Sequence, residues 1–210
     1  MVHVPPTQGQ LTPGNNSASR RHSLAGSVDM NAFLFCSLVL LAQTGIGLCE
    51  EQPARADEVA PELLGSHWLN TLDSKPITLA SRRGKVTVVE FWTFGCINCR
   101  HNLPAYSHWQ QQFSDRDVVI IGIHTPETDY ERDPANVAQQ VKQLGISYPV
   151  LLDTNGTNWN RWHQRYWPAV YLVDSRGRIR YAWAGELNYG GAAGEAKMAR
   201  LIEELLAETR

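Results

Sequence analysis

The chain is short of cysteine. It has four among 210 residues, and two of them, Cys36 and Cys49, fall in an N-terminal stretch that reads as separate from the rest. From residue 50 onward Cys96 and Cys99 stand alone. A domain stapled by disulfides would spread further cysteines along its length, so this pair is there for chemistry rather than for stability. Long apolar runs are lacking too. Ala32 to Leu41 is interrupted soon after by Gln43, Thr44 and two glycines, which leaves it short for a membrane-spanning helix. Charge of one sign is also missing. The formal net charge is −2, with acidic and basic residues interspersed, so there is no electrostatic footprint for nucleic acid and none is expected as a partner. There is no internal repeat.

What is present begins with a segment that does not belong to the core. Residues 1–29 are rich in Pro, Gly, Ser and Asn and show no apolar periodicity, so they cannot offset the entropy of ordering. Ser19-Arg20-Arg21-His22 then supplies a charged region, Ala32 to Leu41 an apolar one and Ala54-Arg55-Ala56 a small-x-small cleavage pattern. Together they describe an export signal. Cleavage after Ala56 is the expectation; an uncleaved membrane anchor and a true start at Met30 are the alternatives. The resulting division is residues 1–56 as unstructured N-terminus with signal or anchor, 57–66 as an acidic, proline-bearing linker, and 67–210 as one globular domain. Its 43% of hydrophobic residues are ample for a core.

Inside that domain the run Val86-Thr87-Val88-Val89-Glu90-Phe91 has the β-branched character of a strand buried on both faces. It leads through Trp92-Thr93-Phe94-Gly95 to Cys96-Ile97-Asn98-Cys99 at the start of a helix that reaches about Phe113, with Pro104 inside it. The free N–H groups and positive dipole end of a helix stabilise a thiolate, so Cys96 gains acidity there. Val118 to Ile123 reads as a second buried strand, which makes strand, helix, strand a right-handed parallel crossover. Asp133 caps a helix with Pro134 at its first position and Val137, Val141 and Leu144 on one face. Ile77 to Leu79 and Tyr148 to Leu152 are strand candidates, and Asn158 to Tyr166 a short helix. Val170 to Val173 and Ile179 to Ala184 form a hairpin about Asp174-Ser175-Arg176-Gly177, and a last amphipathic helix carries Met198, Leu201, Ile202 and Leu205.

The stretch Phe91 to Cys99, with His124-Thr125-Pro126-Glu127 and Arg165-Tyr166-Trp167-Pro168-Ala169, resembles thioredoxin-fold oxidoreductases of the TlpA/ResA-like branch. It looks most like the C-terminal thioredoxin-like domain of DipZ-type proteins, over residues 67–208. The resemblance implies an α/β thioredoxin-like fold, a central mixed β-sheet flanked by helices, with the insertion of that branch supplied by the Asp133 helix and the strand after it. It also implies a redox-active disulfide between Cys96 and Cys99, Glu90 as a buried carboxylate, Pro104 as the helix-kinking proline and Pro168 as a cis-proline facing the site. Thiol–disulfide exchange on protein substrates outside the cytoplasm is the implied activity, with a membrane electron donor as partner and no cofactor. No Gly-Pro separates the cysteines here, and that pair of positions tunes the redox potential.

Each site residue has a plainer reading beside the chemical one. The cysteine pair could be half a zinc site completed by His101 and His108, but no second Cys pair exists; haem attachment is excluded because position 100 is Arg. Glu90 could be a surface carboxylate on an edge strand. Its Val and Phe neighbours place it instead in the core, where desolvation raises its pKa and fits it to exchange a proton with Cys99. Trp92, Trp167 and Pro168 are expected to bind substrate, with Phe94 as a wall and Asn98 as a tuning residue. His124 reads as a hydrogen-bonded structural histidine. Two rivals remain: a thiol peroxidase, which lacks its Pro-x-x-x-Thr/Ser-x-x-Cys context, and a copper carrier using Cys96, Cys99 and His124.

Overall fold

The computed structural model describes residues 58–72 and 75–209; the expected signal, its cleavage site and the alternative start lie outside the described residues. Among these residues seven strands form one sheet: β1 (Glu58–Val59), β2 (Trp68–Leu69), β3 (Val86–Trp92), β4 (Val118–His124), β5 (Val150–Leu152), β6 (Ala169–Val173) and β7 (Arg178–Ala184). The helices are α1 (Ile97–Gln112), α2 (Pro134–Gln143), α3 (Thr157–Arg161) and α4 (Gly194–Ala207). The strand order is β1-β7-β6-β3-β4-β5-β2. β3 therefore runs through the middle, parallel to β4 and antiparallel to β6, and β3-α1-β4 is the crossover expected.

Every residue of β3 is buried, because each face of the sheet carries its own core. On one face Val86, Val88 and Trp92 pack with Tyr106 and Trp109 of α1 and with Met198, Ile202 and Leu205 of α4. On the other, Val89 and Phe91 meet Ile121, Ile123, Trp68 and Trp162. The period of two along a strand sorts these residues, and it sends Glu90 to the face of Val88 and Trp92. α2 is capped as its sequence predicts: the Asp133 carboxylate accepts from Ala135 N–H at 2.8 Å, and Val137 and Val141 turn inward. The β6-β7 turn is closed by Asp174, whose Oδ1 accepts from Arg176 and Arg178 N–H at 2.9 Å each.

Three expectations need correcting. Residues 58–66 do not behave as a linker, since β1 pairs with β7 while Ala60 and Leu63 are buried in the second core. Ile77–Leu79 is not a strand. The carboxylate of Glu62 takes the N–H groups of Leu79 at 2.6 Å and Ala80 at 3.0 Å, and a single 3-10 turn, Ala80–Arg82, follows. The short helix stops at Arg161 rather than Tyr166, and His163 beyond it is left-handed with φ 54°.

Candidate active site

The site lies where β3 hands over to α1. Cys96 is extended, with φ −77° and ψ 112°, and serves as the helix N-cap, its Sγ accepting from Cys99 N–H at 3.3 Å. This is the position at which the first-turn N–H groups have no partner within the helix. Both thiols are free, Cys96 half-buried and Cys99 only 1% exposed. The hydrogen bond from the Cys99 thiol, followed by the backbone N–H groups of Cys99 and Asn98, brings the Cys96 thiol down to about 7 against the pull of partial burial and the Glu127 charge. Burial, then the Cys96 sulfur, then the charge of Glu90 push the Cys99 thiol far above its ordinary value. One sulfur is thus ionised near neutrality, and the other keeps its proton.

Glu90 lies in the core beneath them with no exposure at all. Its Oε1 accepts from the Tyr148 hydroxyl at 2.5 Å, while Oε2 and the neighbouring Tyr106 hydroxyl are buried without a hydrogen-bond partner. Desolvation lifts the carboxyl from 4.5 to about 8, with the tyrosine contacts working in the opposite direction. Room for it comes from across the sheet. Glu90 stands opposite Gly122 on β4, and a Cβ there would lie 3.0 Å from Trp92 Nε1 and 3.1 Å from Glu90 Oε1.

The other expected residues separate. The Trp167–Pro168 bond is cis, and half-buried Trp167 packs against the same core as Cys96 while stacking on Trp159 at 4.0 Å. Trp92 is a correction: it is wholly buried on the inner face of β3, edge-on to His124 at 5.2 Å, and so supports the site from behind instead of meeting a substrate. Phe94, 7% exposed, stacks on His124 at 5.4 Å. His124 is the structural histidine expected, 3.3 Å from the Thr93 hydroxyl, with its pKa drawn down to about 4 by burial. Asn98 is exposed at the helix start. The histidines of the zinc reading face carboxylates instead, His101 at 3.1 Å from Glu186 and His108 at 2.9 Å from Glu195. Among the described residues no three His, Cys, Asp or Glu side chains converge as a metal site, so His124 does not join the cysteines as the copper reading requires.

Two residues escaped the sequence reading. Asn102, 2% exposed on α1, donates to Gly185 carbonyl at 3.1 Å and accepts from Leu187 N–H at 2.8 Å, pinning the redox helix to the loop before α4. Glu131, 3% exposed in the 3-10 turn Asp129–Arg132, accepts from the N–H of Gly95 immediately before Cys96. The spacing Thr128-x-x-Glu131 is a capping box legible in sequence, though its reach to Gly95 is not.

With this geometry in place the chain can be set beside known proteins. A model of the AhpC/TSA family matches residues 58–182. Protein DipZ of Mycobacterium bovis is 38% identical over 177 residues, which are 82% of this chain and 26% of DipZ; the chain thus spans about a quarter of that relative. Thiol-disulfide oxidoreductase YkuV of Bacillus subtilis is 24% identical over 150 residues, 71% of this chain and 95% of YkuV. A solved thioredoxin-like superfamily protein superposes with a TM-score of 0.63 at 25% identity, covering 71% of this chain and 96% of its own.

Proposed function

The chain belongs to the AhpC/TSA family, in its thioredoxin-like form, and from that premise we propose that it is an extracytoplasmic thiol–disulfide oxidoreductase that reduces protein disulfides. The observation that carries the reading is the division of labour between two sulfurs one helical turn apart: Cys96 accessible and acidic, Cys99 buried and protonated.

The Cys96 thiolate attacks one sulfur of the substrate disulfide. A Cys96–substrate bond forms and the other substrate sulfur leaves as a thiolate. Cys99 then gives its proton to ionised Glu90 and attacks Cys96 Sγ, so that the mixed disulfide breaks, the Cys96–Cys99 disulfide forms and the second substrate sulfur departs. Two electrons have passed to the substrate. Glu90, titrating at about 8, is matched to this exchange because a proton acceptor works best near the operating pH. Half-buried Trp167 offers the surface on which the substrate chain lies, and Pro168, itself buried, sets its place through the cis bond.

The acidity of Cys96 supports one direction of electron flow over the other. A well-known reducing dithiol has an attacking thiol near 7 and a potential of about −270 mV, and a strong oxidant at about −120 mV has one at about 3.5. A value of about 7 supports the reducing role. Returning the disulfide to the dithiol requires two electrons, and a membrane-bound thiol protein is the proposed donor. The charged, apolar and small-residue sequence of residues 19–56 supports export, with cleavage or retention as an anchor.

The test is reduction of insulin by the chain with dithiothreitol, together with its loss in Cys96→Ser. Full activity in that variant overturns the reading. A reduction potential near that of strong oxidants overturns the reducing direction, and recovery of the full-length protein in the cytoplasmic fraction overturns export.

A further inference from the structure

Nothing in the redox cycle above uses Glu131, yet its carboxylate is buried and fully engaged. Oε2 accepts from Glu127 N–H at 2.7 Å and Thr128 N–H at 2.8 Å, closing the turn to which Glu131 itself belongs. Oε1 does something else. It reaches 36 residues back along the chain to accept from Gly95 N–H at 2.9 Å. The turn from Thr93 to Cys96 is closed by Cys96 N–H on the Thr93 carbonyl at 3.3 Å, and the Gly95 N–H points out of it to Glu131. No side chain fits between them, since a Cβ on Gly95 would lie 2.2 Å from Oε1. A second contact runs alongside: exposed Tyr130 meets the edge of Phe94 at 5.9 Å.

We propose that Glu131 is a positioning residue for the attacking sulfur: its carboxylate ties the peptide before Cys96 to the loop after β4 and thereby holds Cys96 as the cap of α1. The inference rests on the redox reading of Cys96. The plainer role, capping its own turn, accounts for Oε2 and leaves Oε1 unexplained. A carboxylate is required because all three partners are donors. Glutamine in the same place must aim its amide hydrogens either at Gly95 N–H or at the Glu127 and Thr128 pair, setting donor against donor either way. Burial pushes the Glu131 pKa up, but the Thr128 N–H, the Thr93 hydroxyl and the N–H groups of Glu127 and Gly95 outweigh it and hold the carboxyl below its ordinary value.

The experiment reads Cys96 without any substrate. The reduced full-length protein is alkylated with iodoacetamide at a series of pH values, and mass spectrometry follows Cys96. In the wild type the rate should rise through about pH 7, set by the Cys99 thiol and the Cys99 and Asn98 N–H groups and opposed by Glu127. Glu131→Gln removes a negative charge, and charge alone would make the thiolate easier to form, moving the midpoint down. Positioning gives the opposite sign: the midpoint moves up toward the ordinary thiol value of about 8.5, and the rate at pH 7 falls about five- to fifteen-fold. Gly95→Ala attacks the contact from the other side, keeps the charge, and should move the midpoint up as well. It also carries the test should Glu131→Gln not fold. A midpoint that stays put or moves down in a folded variant overturns the proposal, even where thermal stability falls. Insulin reduction is not read here, so this result stands apart from the fate of the oxidoreductase reading.

Discussion

Replacing Glu90 by glutamine should make the protein more stable in alkali while slowing its turnover. The carboxyl has no exposure, and burial lifts its pKa from 4.5 to about 8. An acid with a raised folded-state pKa keeps its proton in the folded protein at a pH where the unfolded chain has lost it. Below pH 4.5 both states are protonated and the group is neutral to stability. From there to about 8 each rise in pH favours unfolding, and above 8 the penalty is complete. The interval from 4.5 to about 8, at about 1.4 kcal/mol per pH unit, amounts to roughly 5 kcal/mol. Glutamine keeps the shape and can still accept from Tyr148 through its carbonyl oxygen, but it has no proton to lose. Cys96 and His124 titrate in both proteins and drop out of the difference, and Cys99, held far above its ordinary value by burial, keeps its proton in the folded state of both. Urea unfolding under reducing conditions should therefore show nearly equal midpoints at pH 5 and a variant ahead by about 2.5 M at pH 9, for a slope of about 2 kcal/mol/M. The same variant should turn over about 10- to 100-fold more slowly, and the rise of the wild-type rate through about pH 8 should vanish. A midpoint difference that stays constant between pH 5 and pH 9 would refute the reasoning, because the folded carboxyl would then titrate at its ordinary value.

Cys99→Ala should leave attack intact and block release, so the variant with its native N-terminus should accumulate covalent adducts that dissolve in dithiothreitol; trapping by Cys96→Ala and none by Cys99→Ala would reverse the assigned roles. Gly122→Ala should cost about 1–3 kcal/mol by crowding Trp92 and Glu90, and should shift the pH dependence of turnover as the carboxylate is displaced. Urea unfolding and a pH–rate profile check it, and an unshifted profile would mean that Glu90 does not depend on the gap.

Much of this was open to inspection in the residues themselves. A run of Val and Phe about Glu90 specifies a strand covered on both sides, and a carboxylate in such a strand has nowhere to go but inward. Asp133-Pro134 marks a helix start by its chemistry, and the cysteine pair marks its own helix. What escaped was set by partners distant in sequence. Ile77–Leu79 has the composition of a strand, but Glu62 consumes its N–H groups from 17 residues away. Trp92 read as a substrate-binding residue by its nearness to Cys96, yet the alternation of β3 decides that it faces the core. Glu131 showed its capping spacing plainly, and only the folded chain brings Gly95 to its second oxygen.

The first described residues hold one more consequence, which concerns slack. β1 and β2 occupy opposite ends of the strand order, six inter-strand steps apart. At about 4.8 Å a step the sheet is roughly 29 Å across. The nine peptide steps from Val59 to Trp68 reach about 31 Å when fully drawn out. Residues 60–67 therefore cross the sheet with little slack, held down on the way by Leu63 and by the paired hydrogen bonds between Leu64 and Asn158. Lengthening this strap by a residue would cost little. Shortening it by one uses up that small margin and should loosen one of the two outer strands.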